Sequence, residues 1–224
     1  MTDKLKIPGI WWKLLGFLLL LYAVIYGFFV PIPETMIGGS LRNVFYHVGM
    51  WFGMFAMLVT SFIFSLRYLK GFRLKEDLVA VEAANVGILF GILGLITGMI
   101  WTKSTWGAFW VRDPKLDGAV VGMFIYLAYM VLRGSIDDTH KRAKVSAVFN
   151  IVAFILWIVF VLVLPRISSS TIHPGQDGAP IMALDLSVTT RIVFYPAMAG
   201  WILLGFWIMN LRVRTRRIVM KQEK

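Results

Sequence analysis

The sequence predicts an all-α integral membrane protein. The expected form is a six-transmembrane-helix bundle, N-in and C-in, with a tryptophan-rich external loop between helices 3 and 4. Three observations predict it. The chain has 224 residues, 58% of them hydrophobic, and a mean hydropathy of +0.75; ordinary soluble domains are roughly 45–50% apolar. The apolar residues fall in long blocks, and a helical span needs about 20 of them. The basic residues collect in every second connection between blocks. Residues 1–224 read as a single six-helix membrane domain, with no repeat, linker or stretch long enough for a soluble domain.

The first span is 11–30. Its basic lead, MTDKLK, opens into an apolar run too long for a cleavable signal peptide, and no small-residue cleavage site follows. Pro31 and Pro33 end it. The second span is 44–66 and the third 83–101. The third carries Gly87, Gly91, Gly94 and Gly98, spaced four, three and four, on one helical face. Small residues at that spacing permit close helix packing, so this helix is expected at the centre, delivering the tryptophan loop. Pro114 precedes the fourth span, 118–132, which has room to extend into Ser135. The fifth, 145–164, closes at Pro165, and the sixth is 192–211.

With the N-terminus in the cytoplasm, the inner segments carry seventeen Lys and Arg and the outer ones six. That bias sets the orientation. It also accounts for the net charge of +11 without nucleic acid as a partner. There is no cysteine, which excludes disulfides, thiolate chemistry and iron–sulfur ligation. Any metal must be held by His, Met or oxygen.

In this topology the polar and aromatic features converge on the outer face. His47 lies near the outer end of the second helix, with Trp51 four residues later on the same face. Trp106 and Trp110 lie in the second external loop and His173 in the third, which is rich in Ser, Gly and Pro. Each has a plainer reading: an interfacial aromatic belt for the tryptophans, an interfacial or solvated role for each histidine. The belt or plain packing suits Trp11, Trp12, Trp201 and Trp207, and His140 in the basic inner loop reads as solvated. Together, however, two imidazoles from different segments with flat indole walls suit a planar iron macrocycle. Haem iron takes axial histidines, indoles can cover its faces, and its propionates want cations. Arg42, Arg112 and Lys115 stand beside these elements, and Asp113 has three open roles: orienting a ligand, capping the loop, or pairing with a cation.

The stretch TGMIWTKSTWGAFWVRDPKLD, residues 97–117, resembles the tryptophan-rich WWD segment of the cytochrome c biogenesis haem-handling proteins (the CcmC/CcsA family). The match is nearest to the haem exporter protein C (CcmC) type, of six helices and similar length. The family pattern, roughly W-G-x-x-W-x-W-D, stands here as Trp106, Gly107, Ala108, Phe109, Trp110, Val111, Arg112 and Asp113. Arg112 replaces the last aromatic, which removes one stacking wall and offers a propionate partner instead. RNVFYHVGMW, residues 42–51, and STIHPG, residues 170–175, resemble the two segments that carry the family's external histidines. The resemblance implies that His47 and His173 are axial ligands of a b-type, non-covalently held haem iron. It further implies that Trp106, Gly107, Trp110 and Asp113 contact the haem, beside Trp51, Arg42, Arg112 and Lys115.

The resemblance also implies what the protein does. Such proteins present haem at the outer face of the bacterial inner membrane for transfer to a periplasmic haem chaperone. They work beside ABC transporter subunits and a small single-span membrane subunit. No bond is made in a substrate, so the chain is not expected to be an enzyme; no nucleophile–base pair, phosphate loop or helical His–Glu metal motif is present in the sequence. Two other classes stay open at this point: a haem- or quinone-binding electron-transfer subunit, and a cofactor-free structural subunit of an ABC transporter.

Overall fold

The computed structural model describes residues 9–31, 38–168, 171–173 and 187–222. Among the described residues, six helices are long and apolar enough to cross a membrane. They are α1 (Trp11–Phe29), α2 (His47–Gly71), α3 (Leu74–Trp106), α4 (Pro114–Gly134), α5 (Thr139–Ile167) and α6 (Val188–Gln222). A 3-10 segment, Gly38–Phe45, leads into α2, and a π turn at Val159–Val163 interrupts α5. Pro33 and most of the third external loop, 174–186, lie outside the described residues.

The bundle is built around α2 and α3, with α1 lying on α6 at one side and the α4–α5 pair on the other. Burial agrees: 61% of the apolar window of α3 is buried, against 22% for α1. The glycine face of α3 meets α2, and side chains fill it. Leu58, Met54, Trp51 and His47 of α2 lie over Gly87, Gly91, Gly94 and Gly98 respectively. A Cβ at Gly87 would stand 2.7 Å from the Leu58 side chain, and one at Gly98 2.9 Å from His47 Cε1. Two antiparallel helices carrying the same four-three-four spacing thus interlock, and the last two rungs of this ladder reach the end where α2 begins and α3 finishes.

Several helices run beyond the spans expected from apolar length. α3 starts at Leu74 and ends at Trp106, and α6 covers Val188–Gln222. Apolar length marks only what lies in hydrocarbon; the helices continue into charged turns beyond it, where several of the charges are partnered. Glu76 and Asp77 stand in the first turn of α3, where carboxylates oppose the helix dipole favourably. Arg133 of α4 grips Asp77 with two bonds of 2.8 and 2.7 Å, and Arg212 of α6 reaches the buried Glu82 at 2.5 Å. Deeper in the bundle, Asn150 donates to Ser61 and Ser65, both at 2.8 Å, and Ser61 donates to the Ala80 carbonyl. These bonds join α5, α2 and α3. Pro165 does not close α5: it sits in a final turn, Leu164–Ile167, beyond the π turn.

Candidate functional site

A cavity of about 350 Å³ opens where α2 begins, α3 ends, α4 begins and α5 passes through its π turn. This falls within the range of about 300–1,000 Å³ typical of ligand pockets. His47 and His173 both border it. Trp51, Trp101, Trp110 and Trp157 supply indole walls, Phe52 and Phe55 an apolar floor, and Lys115 and Arg166 are its cations.

His47 is the first residue of α2, held there by the 3-10 segment before it. Three helices pin that segment: Arg42 donates to the Gly27 carbonyl of α1, Asn43 to the Thr97 carbonyl of α3, and the Phe45 carbonyl accepts from Trp201 of α6. The imidazole lies over Gly98, edge-on to Trp51 at 6.2 Å and 77°, with Nδ1 3.1 Å from Thr97 Oγ1.

His173 is held by a strap, residues 171–173, and the strap by Asp113. The Asp113 carboxylate, 1% exposed, accepts from Thr171 Oγ1 at 2.9 Å, Ile172 N at 2.8 Å and Lys115 N at 2.8 Å. It therefore caps α4 and ties α4 to the strap at once. Burial alone would raise its carboxyl, but the donors from Ile172, Lys115, Thr171 and Leu116 outweigh burial and leave it below the usual 3.8. The His173 ring packs against Trp101 at 5.5 Å and Trp106 at 6.4 Å.

Of the residues singled out in the sequence, His47, Trp51, Trp110, Lys115 and His173 border the cavity. Trp106 stands behind the wall, packed edge-on against Trp101 at 4.8 Å. Gly107 ends α3 in the left-handed conformation, φ 78°, with nothing within 4 Å of a Cβ placed on it. It is a helix stop rather than a wall. Arg42 is turned to α1, and Arg112, its side chain 93% exposed, pairs loosely with Asp117 at 3.8 Å. Neither borders the cavity. Asp113 acts behind the lining, through the strap.

A family model described as Heme exporter protein C matches residues 4–224. The chain belongs to the heme exporter protein C family. Curated relatives with that name agree: the one from Paracoccus denitrificans is 28% identical over 204 residues, covering 86% of this chain and 79% of the relative. The Haemophilus influenzae protein is 25% identical over 209 residues, 89% and 80% of the two chains. That of Escherichia coli K12 is 26% identical over 223 residues, 96% and 85%.

For a member of the heme exporter protein C family, the cavity adds residues that the sequence reading passed over. Trp101 is 8% exposed, borders the cavity and touches His173; its signal was its place nine residues before Trp110 in the quoted segment. Arg166 takes the place beside Lys115 expected of Arg42 or Arg112, and it was legible only as an outer basic residue after Pro165. Thr171 stood only as a neighbour of His173 in the quoted STIHPG stretch, and Trp157 and Phe55 carried no local signal. The donor set suits a flat ring with a central iron. Among the described residues no group of three or more His, Asp or Glu could enclose a bare ion.

Proposed function

We propose that this chain handles haem for cytochrome c maturation, presenting it at the outer face of the bacterial inner membrane to a periplasmic haem chaperone. The observation that carries the reading is that His47 and His173, 126 positions apart in the sequence, border one cavity walled by Trp51, Trp101 and Trp110. Haem is the cargo. Trp51, Trp101 and Trp110 would wall its ring, His47 and His173 would hold its iron, and Lys115 and Arg166 would offset the charge of its propionates. With no cysteine in the chain, no thioether attachment forms and the haem is held as b-type.

His47 sits on a helix and His173 on a non-helical strap. The strap is the easier side to release, so His173 would be the first of the two to give way to a ligand from the chaperone. The chain performs no bond-making chemistry of its own. It assembles with ABC transporter subunits and a small single-span subunit, which supply any ATP-driven step, and both termini lie in the cytoplasm.

The test is an absorption spectrum of purified protein titrated with haem. The wild type is expected to give a low-spin Soret and visible spectrum, and each of His47→Ala and His173→Ala a high-spin or weakened one. A His47→Ala/His173→Ala double variant with the wild-type haem content and spectrum would overturn the reading.

A further inference from the structure

We infer that Thr97 fixes the tautomer of His47, and so decides which ring nitrogen is free for iron; this rests on the reading of His47 as an axial ligand. Thr97 Oγ1 lies 3.1 Å from His47 Nδ1. A hydroxyl has one hydrogen to donate and lone pairs to accept with. The same Oγ1 stands 2.9 Å from the Leu93 carbonyl and 3.0 Å from the Gly94 carbonyl, within its own helix. A carbonyl only accepts, so the hydroxyl hydrogen goes to that pair. What Thr97 then offers the imidazole is a lone pair, and Nδ1 must carry the hydrogen. Nε2 is left with its lone pair, the state a metal requires. The opposite tautomer would place a hydrogen on Nε2 and leave no lone pair there for iron.

The surroundings hold this arrangement in place. The Thr97 carbonyl accepts from Asn43 Nδ2 at 3.3 Å, which joins this turn of α3 to the segment that introduces His47. Gly98 gives the ring its floor and Trp51 meets it edge-on. The ring therefore cannot turn over without leaving the Thr97 hydroxyl. A second consequence is electronic. An imidazole that donates through Nδ1–H is a more basic ligand, which favours ferric over ferrous iron. Thr97 is a positioning residue: it touches the ligand and not the haem.

The test compares wild type, Thr97→Val, Thr97→Ser and His47→Ala, purified and titrated with ferric haemin. Val matches Thr in volume and removes a hydroxyl bonded back to its own helix, which costs helices little; Thr97→Ala serves if Thr97→Val does not fold. The expected result is that Thr97→Val binds ferric haem about tenfold more weakly. If the whole loss falls on the ferric state, the midpoint potential rises by about 59 mV, and the spread of the ferric low-spin EPR g values changes with it. Thr97→Ser restores all three. If Thr97→Val matches wild type in affinity, potential and g values while His47→Ala loses its low-spin spectrum, the Thr97 inference fails and the ligand assignment stands. If His47→Ala keeps the wild-type spectrum, the ligand assignment fails and the Thr97 inference falls with it.

Discussion

At the scale of single residues, the site depends on side chains that do not line the cavity. Asp113 is the clearest. It was open in the sequence whether it oriented a ligand, capped the loop or paired with a cation; the structure has it capping the helix α4 and gripping the strap that carries His173. Hydrogen bonds to a charged acceptor contribute about 1.5–3 kcal/mol each. Asp113→Ala is therefore expected to speed hydrogen exchange at the Ile172 amide by at least about tenfold, with Asp113→Asn intermediate. The pH dependence follows from the sign of the shift. The carboxyl titrates below 3.8 in the folded protein, so its stabilisation is complete above the unfolded value and is lost as pH falls through the lowered one. The Ile172 amide shift in NMR should stay flat from neutrality to about pH 4 and move only below that. Gly98 offers a second probe. A methyl there meets His47 Cε1 at 2.9 Å, so Gly98→Ala should weaken haem affinity by displacing the ring, read as a lowered Soret yield on titration.

At the scale of elements, the ends of four helices form the site, and irregular backbone occurs at two of them. The π turn Val159–Val163 shifts the end of α5 so that Val161, Leu162, Pro165 and Arg166 line the cavity. π turns are rare and frequent at functional sites. Its Phe160 carbonyl packs against Gly118 of α4 so closely that a Cβ there would collide with it. Backbone yields less readily than a side chain. Gly118→Ala is expected to destabilise the protein by about 1–3 kcal/mol and to lower haem affinity together with the thermal midpoint. Nothing in VFVLV announces a π turn, because the register of an apolar run is decided by what it packs against. The helix caps were more legible. Pro114 and Asp113 mark the start of α4 and Gly107 the end of α3, each through a local backbone preference.

At the scale of the whole molecule, the distribution of basic residues predicts the orientation of the chain, and with it the side on which the cavity opens. The cytoplasmic end is expected to hold the ion pairs of Asp77 with Arg133 and Glu82 with Arg212, and the opposite end the cavity. The absence of cysteine makes this easy to check. In intact cells an impermeant maleimide should label Arg112→Cys and spare Arg214→Cys until the inner membrane is opened. The reverse pattern would place the cavity on the cytoplasmic side and end the proposal of presentation to a periplasmic partner.

The sequence by itself determined the six crossings, the central position of the glycine-bearing third helix and the meeting of two histidines with a tryptophan loop at one end. These follow from apolar length, small-residue spacing and the alternation of an antiparallel bundle. Only the tertiary structure decided that Trp101 and Trp157 wall the cavity while Trp106 stands behind it, that Arg166 rather than Arg42 joins Lys115, and that Thr97 holds His47. The physical reason lies in the solvent. A membrane helix is apolar on its lipid face and its buried face alike, as exposed Phe17, Ile96 and Phe124 show beside buried Met54 and Phe90. Hydrophobic periodicity therefore does not say how far each helix is turned about its axis, and that rotation selects the side chains that meet.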